Sequence, residues 1–333
     1  MKLASIRTIT EIHDIAGADR IQCAIVRGYK SVIKKGEYQV GDPCVFIEPD
    51  TILPDKPWSS FLKDKNRPDK PIRLRATRFK GCVSQGLIVK LNDIITDLKP
   101  QGARYIEGED VTEIAGVTKY EKPIPVQLMG EVKGTFPTSI IPKNDEPRYQ
   151  ICKGFLDECQ NFNATMKLDG TSVTFLWLND EFTVCSRNLI MKDGDTAYWN
   201  IARKYDIQNK LPKHLAIQGE IVGEKIQGNP MGIEGLKFYV FNVFDRQTNS
   251  YGTFQQFKDV CLCCGFPHVP ILEGVDYSSW EALQEYSNNL KYPNGKPAEG
   301  IVILSDDIEY SFACSGRPSC KVISETFLLE NNE

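Results

Sequence analysis

The sequence predicts an α+β protein in two parts: a small β-barrel over residues 1–115, then a larger domain of strands and a few helices over 116–333. Three observations carry this. Short apolar or alternating runs crowd the first hundred residues between glycines and prolines. The stretch from about Tyr105 to Pro125 carries charge with little periodicity. Beyond Ser172, longer strand patterns alternate with apolar residues at helical spacing. A chain of 333 residues is the right size for two such domains.

In the first part the runs Ile21 to Tyr29, Lys30 to Lys34, Cys44 to Ile47, Ile72 to Arg78 and Gly86 to Lys90 read as strands. Gly28, Gly36, the Gly41-Asp-Pro43 turn and Pro49 punctuate them. Five short strands suit a small barrel of the OB type, which grips oligonucleotides, and an SH3-like barrel would leave the same pattern. Between Lys63 and Lys80 basic residues outnumber acids, with only Asp64 and Asp69 opposing Lys63, Lys65, Arg67, Lys70, Arg73, Arg75, Arg78 and Lys80. On a chain of net charge −4 that local excess is either a solvated face or a phosphate-tracking surface, with Arg73, Arg75, Arg78 and Lys80 the candidate nucleic-acid contacts.

Composition excludes several classes. With 41% hydrophobic and 25% charged residues and no apolar window long enough to span a bilayer, the chain is expected to be soluble. The amino terminus lacks an apolar signal core, so an intracellular protein, cytoplasmic or nuclear, is expected. Eleven cysteines without paired spacing suit free thiols in a reducing compartment. Cys261-Leu-Cys-Cys264 with His268 invites zinc, but Phe254 to Cys264 reads as an amphipathic helix and no second ligand pair stands at zinc spacing.

The second part is organised around Thr165 to Ser172. Lys167 precedes Asp169 by two residues and Gly170 by three, and Val173, Phe175 and Trp177 follow on a strand pattern. A lysine at a strand edge beside a carboxylate, with a glycine that admits a ligand to the backbone, can act as a nucleophile. A surface Lys-Asp-Gly turn has the same sequence, so the downstream segments decide. An extended lead-in, Gly134 to Pro142, and Lys143 to Gln150 with Arg148 come before it, and Cys152 to Gln160 reads as a short helix. Ser186-Arg187-Asn188 ends a strand with groups able to hold ribose or phosphate. Gln218 to Gly223 places Glu220 alone on an apolar strand. Phe238 to Asp245 is aromatic, either plain core or a shelf for a base. Glu299 leads a second buried strand, and Ser319 to Ile323 carries Lys321. One clear helix, Thr196 to Asn209, has Tyr198, Ile201, Ala202 and Tyr205 at helical spacing.

In this order the segments resemble the motifs of the covalent nucleotidyltransferases, the superfamily of ATP-dependent ligases and mRNA-capping enzymes. Lys167-Leu-Asp-Gly170 resembles motif I, Ser186-Arg187-Asn188 motif Ia, and Gly219-Glu220 motif III. Phe238 to Asn242 is similar to motif IIIa, Glu299-Gly300 to motif IV, and Ser319 to Lys321 to motif V. Gly36 to Asp42, Phe46 to Asp50 with Leu53-Pro54, and Ile72-Arg-Leu-Arg75 through Ser84-Gln-Gly-Leu87 resemble the amino-terminal OB domain of RNA ligases of the Deinococcus and Naegleria type. The resemblance covers nearly the whole chain. DNA ligases and capping enzymes place their OB domain after motif V, whereas only a short tail follows Lys321 here. Two positions depart: Met166 stands where an acid is common, and Ser319 stands where motif V usually has its first lysine.

The resemblance implies an α+β fold with an antiparallel-sheet, ATP-grasp-like ligase domain behind the barrel. It further implies an ATP-dependent RNA ligase that joins a 3′-hydroxyl to a 5′-phosphate, at nicks in duplex RNA, through a lysyl-AMP and an AMP-capped 5′ end, with Lys167 as nucleophile. Asp169, Glu220 and Glu299 would hold Mg2+ or Mn2+ through waters. Lys321 would meet the α-phosphate and Arg148 the outer phosphates. Gly170 lets the nucleotide approach. Ser172, Arg187 and Asn188 would orient ribose and the acceptor phosphate, and Phe241 and Asn242 would lie at the adenine. Arg317, two residues before Ser319, is expected to share a strand face with Ser319 and Lys321 and to supply the missing cation. A monomer without a membrane partner is expected. A DNA-directed ligase and a protein that holds RNA ends without sealing them are the alternatives.

Overall fold

A computed structural model describes residues 2–65, 67, 69–95, 105–120 and 131–331. The chain divides into two compact units, Met1–Pro123 with Leu328–Glu333, and Ile124–Phe327.

The first unit is built from short antiparallel strands wound about an apolar core that includes Ile6, Val45, Ile47, Leu53 and Val89. Strand Pro43–Ile47 sits between Ala4–Thr8 and Leu87–Val89. Glu11–Asp14, Ile21–Val26 and Tyr29–Lys34 form a meander. Two side chains stitch that meander to the next hairpin: the Ser31 hydroxyl donates to the Gln85 carbonyl at 2.8 Å, and Ser84 Oγ accepts from the Val32 amide at 2.9 Å. At Gly86, with φ +83°, a Cβ would lie 2.5 Å from the Phe46 ring, so glycine is required where the chain passes it.

The expected strand Ile72 to Arg78 is two strands. Ile72–Arg73 pairs with Thr51–Leu53, while Thr77–Phe79 forms a hairpin with Cys82–Ser84. The cause is local. Leu74 still exchanges backbone hydrogen bonds with Asp50 and Thr51, after which Lys80 (φ 49°) and Gly81 (φ 86°) reverse the chain in the both-positive geometry that suits a tight hairpin.

The second unit contains two antiparallel sheets. The larger runs Val132–Thr135, Leu189–Met191, Glu181–Ser186, Thr171–Leu178, Leu215–Gly223, Leu236–Asp245 and Ser250–Tyr251. Period-2 alternation sends Val173, Phe175, Ile217 and Phe238 into one core and Leu176, Cys185, Ala216 and Phe244 into another on the opposite face. The smaller sheet runs Ile271–Leu272, Asn163–Lys167, Gly300–Leu304 and Ser319–Ile323. Its core of Ala164, Ile301, Ile303 and Val322 includes Leu283 of helix Trp280–Asn289.

Helix Phe254–Cys264 has the bounds its periodicity predicts. Thr253 and Gln256 form a reciprocal capping box at its start, and Gly265, at φ 66°, ends it. Cys261 faces the core while Cys263 faces outward, so the cysteine cluster does not converge. The expected helix Thr196 to Asn209 is broken in two, Ala197–Lys204 and Ile207–Lys210. Asp206 adopts the left-handed conformation at φ 54°, and its carboxylate accepts from Asn209 Nδ2 at 2.6 Å, fixing the break. Among the described residues no helix is long and apolar enough to cross a membrane.

Candidate active site

Lys167 is the last residue of strand Asn163–Lys167 and pairs with Gly300. The turn Leu168-Asp169-Gly170 then carries the chain from the smaller sheet into strand Thr171–Leu178 of the larger one. The nucleophile candidate therefore stands where the two sheets exchange the chain. Gly170 is obligatory on packing grounds: a Cβ there would lie 2.3 Å from the Ile221 carbonyl oxygen and 2.8 Å from Glu220 Cγ. Its own carbonyl accepts from Gln227 Nε2 at 3.0 Å.

The acids arrive from neighbouring strands. Glu299 immediately precedes Gly300, and its Oε1 lies 2.5 Å from Lys167 Nζ. Its Oε2 is buried without a partner among the described residues. Glu220 pairs with Ser172 across the larger sheet, which puts both side chains on one face. Burial, with Glu299 and Asp169 nearby, outweighs the attraction of Lys167 and pushes the Glu220 carboxyl up to about 8. For Lys167, burial acts to lower the pKa, but Glu299, Glu220 and Asp169 more than offset it and hold the ammonium above its usual range.

Further cations are coupled to these groups. Lys321, on Ser319–Ile323, donates its amide to the Pro147 carbonyl at 2.8 Å and pairs in parallel with Arg148. Burial, then the charges of Lys167 and Arg148, push its ammonium down to about 8. Arg187 ion-pairs with Asp145 at 2.8 Å, and its charge acts on Glu220. Lys143 Nζ donates to Asn188 Oδ1 at 2.7 Å. Asp169, Glu220, Glu299, Lys167, Lys321, Arg148, Arg187 and Ser172 are thus brought around one place.

Phe241 and Asn242 lie at a β-bulge. Gln218 pairs with Asn242 but Gly219 pairs with Val240, leaving Phe241 as the extra residue. Asn242 is buried; its Nδ2 donates to Asn144 Oδ1 at 2.7 Å and its Oδ1 accepts from Arg317 Nη1 at 2.6 Å. Arg317 also lies 3.6 Å from Glu146 and packs 4.2 Å over the Tyr251 ring. The expected strand alternation of Arg317, Ser319 and Lys321 fails, because the strand begins at Ser319, beyond Pro318, and the Ser319 amide turns back to the Arg317 carbonyl at 2.7 Å. Ser319 Oγ is buried without a partner among the described residues.

Glu146, in the Lys143 to Gln150 lead-in, helps order the Arg317–Asn242 pair; sequence patterns did not point to Asn144, which does the same, or to Tyr198, whose hydroxyl lies 3.2 Å from Thr171 Oγ. They also did not point to Tyr292, whose hydroxyl touches the backbones of three residues in two motifs, Lys167, Asp169 and Glu299. Asn144, Tyr198 and Tyr292 stand in no motif, and most of their contacts are distant along the chain.

In the first unit the basic residues differ. Arg73 is 2.9 Å from Asp50 and 3.8 Å over the Tyr120 ring, its side chain mostly covered. Arg75, Arg78 and Lys80 are exposed.

A sequence model of the RNA ligase family matches residues 160–323, and an OB-fold domain model matches residues 3–91. The fold is similar to that of Naegleria gruberi RNA ligase. A lysine-to-methionine variant of that enzyme with AMP and Mn is 34% identical, with TM-score 0.85 and 98% of each chain covered. A glutamate-to-alanine variant with ATP and Mn is also 34% identical, with TM-score 0.85 and both chains covered completely. The chain belongs to the RNA ligase family. No curated protein matches it. This RNA ligase therefore carries an amino-terminal OB-fold domain ahead of the antiparallel ligase unit that holds the Lys167 cluster.

Proposed function

We propose that this RNA ligase is ATP-dependent and seals 3′-hydroxyl and 5′-phosphate RNA ends, at nicks in duplex RNA, through a covalent Lys167–AMP. The observation that carries the reading is Lys167 Nζ at the junction of two sheets, 2.5 Å from Glu299, with Glu220 and Asp169 acting on its charge. The Lys167 ammonium first gives up one proton to solvent; its neutral nitrogen then attacks the α-phosphorus of ATP, a P–N bond forms, the P–O bond to pyrophosphate breaks, and a second proton leaves the nitrogen to solvent. Similar structures of the Naegleria enzyme are with ATP, with AMP and with pyrophosphate, ligands that suit such a step. AMP then passes to the RNA 5′-phosphate, and the 3′-hydroxyl displaces it.

The donor set fits a hard divalent cation, Mg2+ or Mn2+: Asp169, Glu220 and Glu299 are oxygen ligands, and Glu299 Oε2 is buried with no partner among the described residues. Such an ion, when bound, would supply charge at the α-phosphate and favour neutral lysine. The chain's own residues do the rest. Lys321 and Arg148 face the phosphates, and Ser172, Arg187 and Asn188 orient ribose and the acceptor phosphate. Gly170 lets the strand carrying Glu220 pack directly against the Lys167 turn. Phe241 stacks on adenine beside Asn242, whose amide Arg317 holds in one orientation.

The domain division at 1–115 and 116–333 separates substrate grip from chemistry, with Arg75, Arg78 and Lys80 on RNA phosphates. The protein acts as a monomer inside the cell, in cytoplasm or nucleus. Sealing of a labelled 5′-phosphate nick tests the reading: duplex RNA should be joined with ATP and Mg2+ or Mn2+. Preference for nicked DNA would assign the DNA-directed alternative, and binding without joining would assign the non-sealing one.

A further inference from the structure

The Tyr292 ring lies in the main core of the second unit and is only 2% exposed. It stands on a tight reversal in which Tyr292 and Lys296 share a backbone hydrogen bond of 2.8 Å, and the Ala298 amide reaches the Leu290 carbonyl at 2.9 Å. A buried tyrosine ordinarily needs one partner for its hydroxyl. This oxygen accepts from the Asp169 amide at 3.1 Å and from the Glu299 amide at 3.2 Å, and it lies 3.4 Å from the Lys167 carbonyl, to which it donates. One donor and two acceptor positions are all a hydroxyl has, and all three are spent on the residues of the site.

The ladder between Asn163–Lys167 and Gly300–Leu304 ends at Lys167 and Gly300. Beyond that pair the two chains part, Lys167 toward Asp169 and Gly300 back toward Glu299. Two amides at the parting donate to the tyrosine oxygen rather than to a strand.

We propose that Tyr292 is a positioning residue for lysine adenylylation, its hydroxyl setting the spacing between the Lys167 backbone and the backbones of Asp169 and Glu299. The proposal rests on the reading of Lys167 as the nucleophile. The hydroxyl touches none of the reacting atoms; it acts through Lys167, Asp169 and Glu299.

Tyr292→Phe in the full chain removes one oxygen and keeps the ring. The single-turnover rate of Lys167–AMP formation at saturating ATP should fall on the order of 100-fold, the scale of a small misplacement of reacting groups. The KM for ATP should stay within about twofold, because ground-state binding is left in place. Sealing of an RNA nick that already carries a 5′ AMP cap should fall far less, since Lys167 is not the nucleophile there. Wild-type adenylylation in the variant overturns the proposal, and so do equal losses in both steps with a raised KM, which mark general slackening. Amide hydrogen exchange in the wild-type protein gives an arm that needs no variant. The Asp169 and Glu299 amides should be protected although they lie past the end of the ladder, and unprotected amides overturn the proposal. Absence of any AMP adduct on the wild-type protein, with those amides protected, would sink the nucleophile reading instead.

Discussion

At the scale of residues, the site is an unusual concentration of charge in low-dielectric surroundings, and its titration follows from that. Lys167 is held above its ordinary pKa by Glu299, Glu220 and Asp169, which together outweigh burial, so in the free protein it is an ammonium and no nucleophile. Glu299→Gln removes the nearest of them. The ammonium should then lose its proton more readily, and Lys167 should be acylated faster by an amine-directed reagent between about pH 8 and 9, near the upper end of which free lysines begin to react. Adenylylation should nevertheless fall by ~100-fold as the electrostatic element is lost. Unchanged acylation of Lys167 would show that Glu299 does not control its proton. Glu220 gives a second handle. Its carboxyl rises from 4.5 to about 8 on folding, so its stabilising effect is complete below the lower value and is lost as pH rises through the upper one. Thermal stability of the free protein should decline across that window, and Glu220→Gln should flatten the decline. Lys167, Asp169, Glu220, Glu299 and Lys321 were legible in sequence because each stands in a short motif. Tyr292 was not, since its contacts reach Lys167 and Asp169 over more than a hundred residues.

At the scale of elements, period and punctuation located most strands: Ser319–Ile323 coincides with its pattern, and Phe254–Cys264 is framed by its cap and glycine. What alternation does not reveal is a one-residue slip. The bulge at Phe241 lies inside a continuous apolar run, and only pairing with Gln218 and Gly219 exposes it. The left-handed Asp206 likewise interrupts a helix whose apolar spacing continues through it. Gly219 makes the bulge possible, because a Cβ there would lie 2.2 Å from the Phe238 ring and 2.6 Å from the Tyr239 carbonyl oxygen. Gly219→Ala should cost ~1–3 kcal/mol in chemical denaturation, the usual scale of overpacking a tight site. It should also raise the KM for ATP by shifting Phe241. A variant of wild-type stability and KM would show that the strand pair has room the packing denies.

At the scale of the whole molecule, the residues assigned to adenylylation, from Arg148 to Lys321, all lie in the second unit, and the basic hairpin lies in the first. The barrel was legible from its turns and short strands, whereas the fate of each arginine was not, because charge pattern does not distinguish Arg73, covered by Asp50 and Tyr120, from exposed Arg78. A truncated protein beginning near residue 131 should form the AMP adduct and fail to seal nicked RNA. Charge reversal at Arg75, Arg78 and Lys80 in the full chain should weaken nick binding and flatten its salt dependence, while reversal at Arg73 should unfold the barrel instead. Sealing by the truncated protein at the full-chain rate would mean that the basic hairpin is a solvated face.

The central claim is the covalent step at Lys167, and peptide mapping tests it most directly. After incubation with labelled ATP and Mg2+ or Mn2+, the label should sit on Lys167 alone and be lost from Lys167→Ala and Lys167→Arg, since a guanidinium stays protonated. Label on another residue, or at wild-type yield in either variant, would contradict the account.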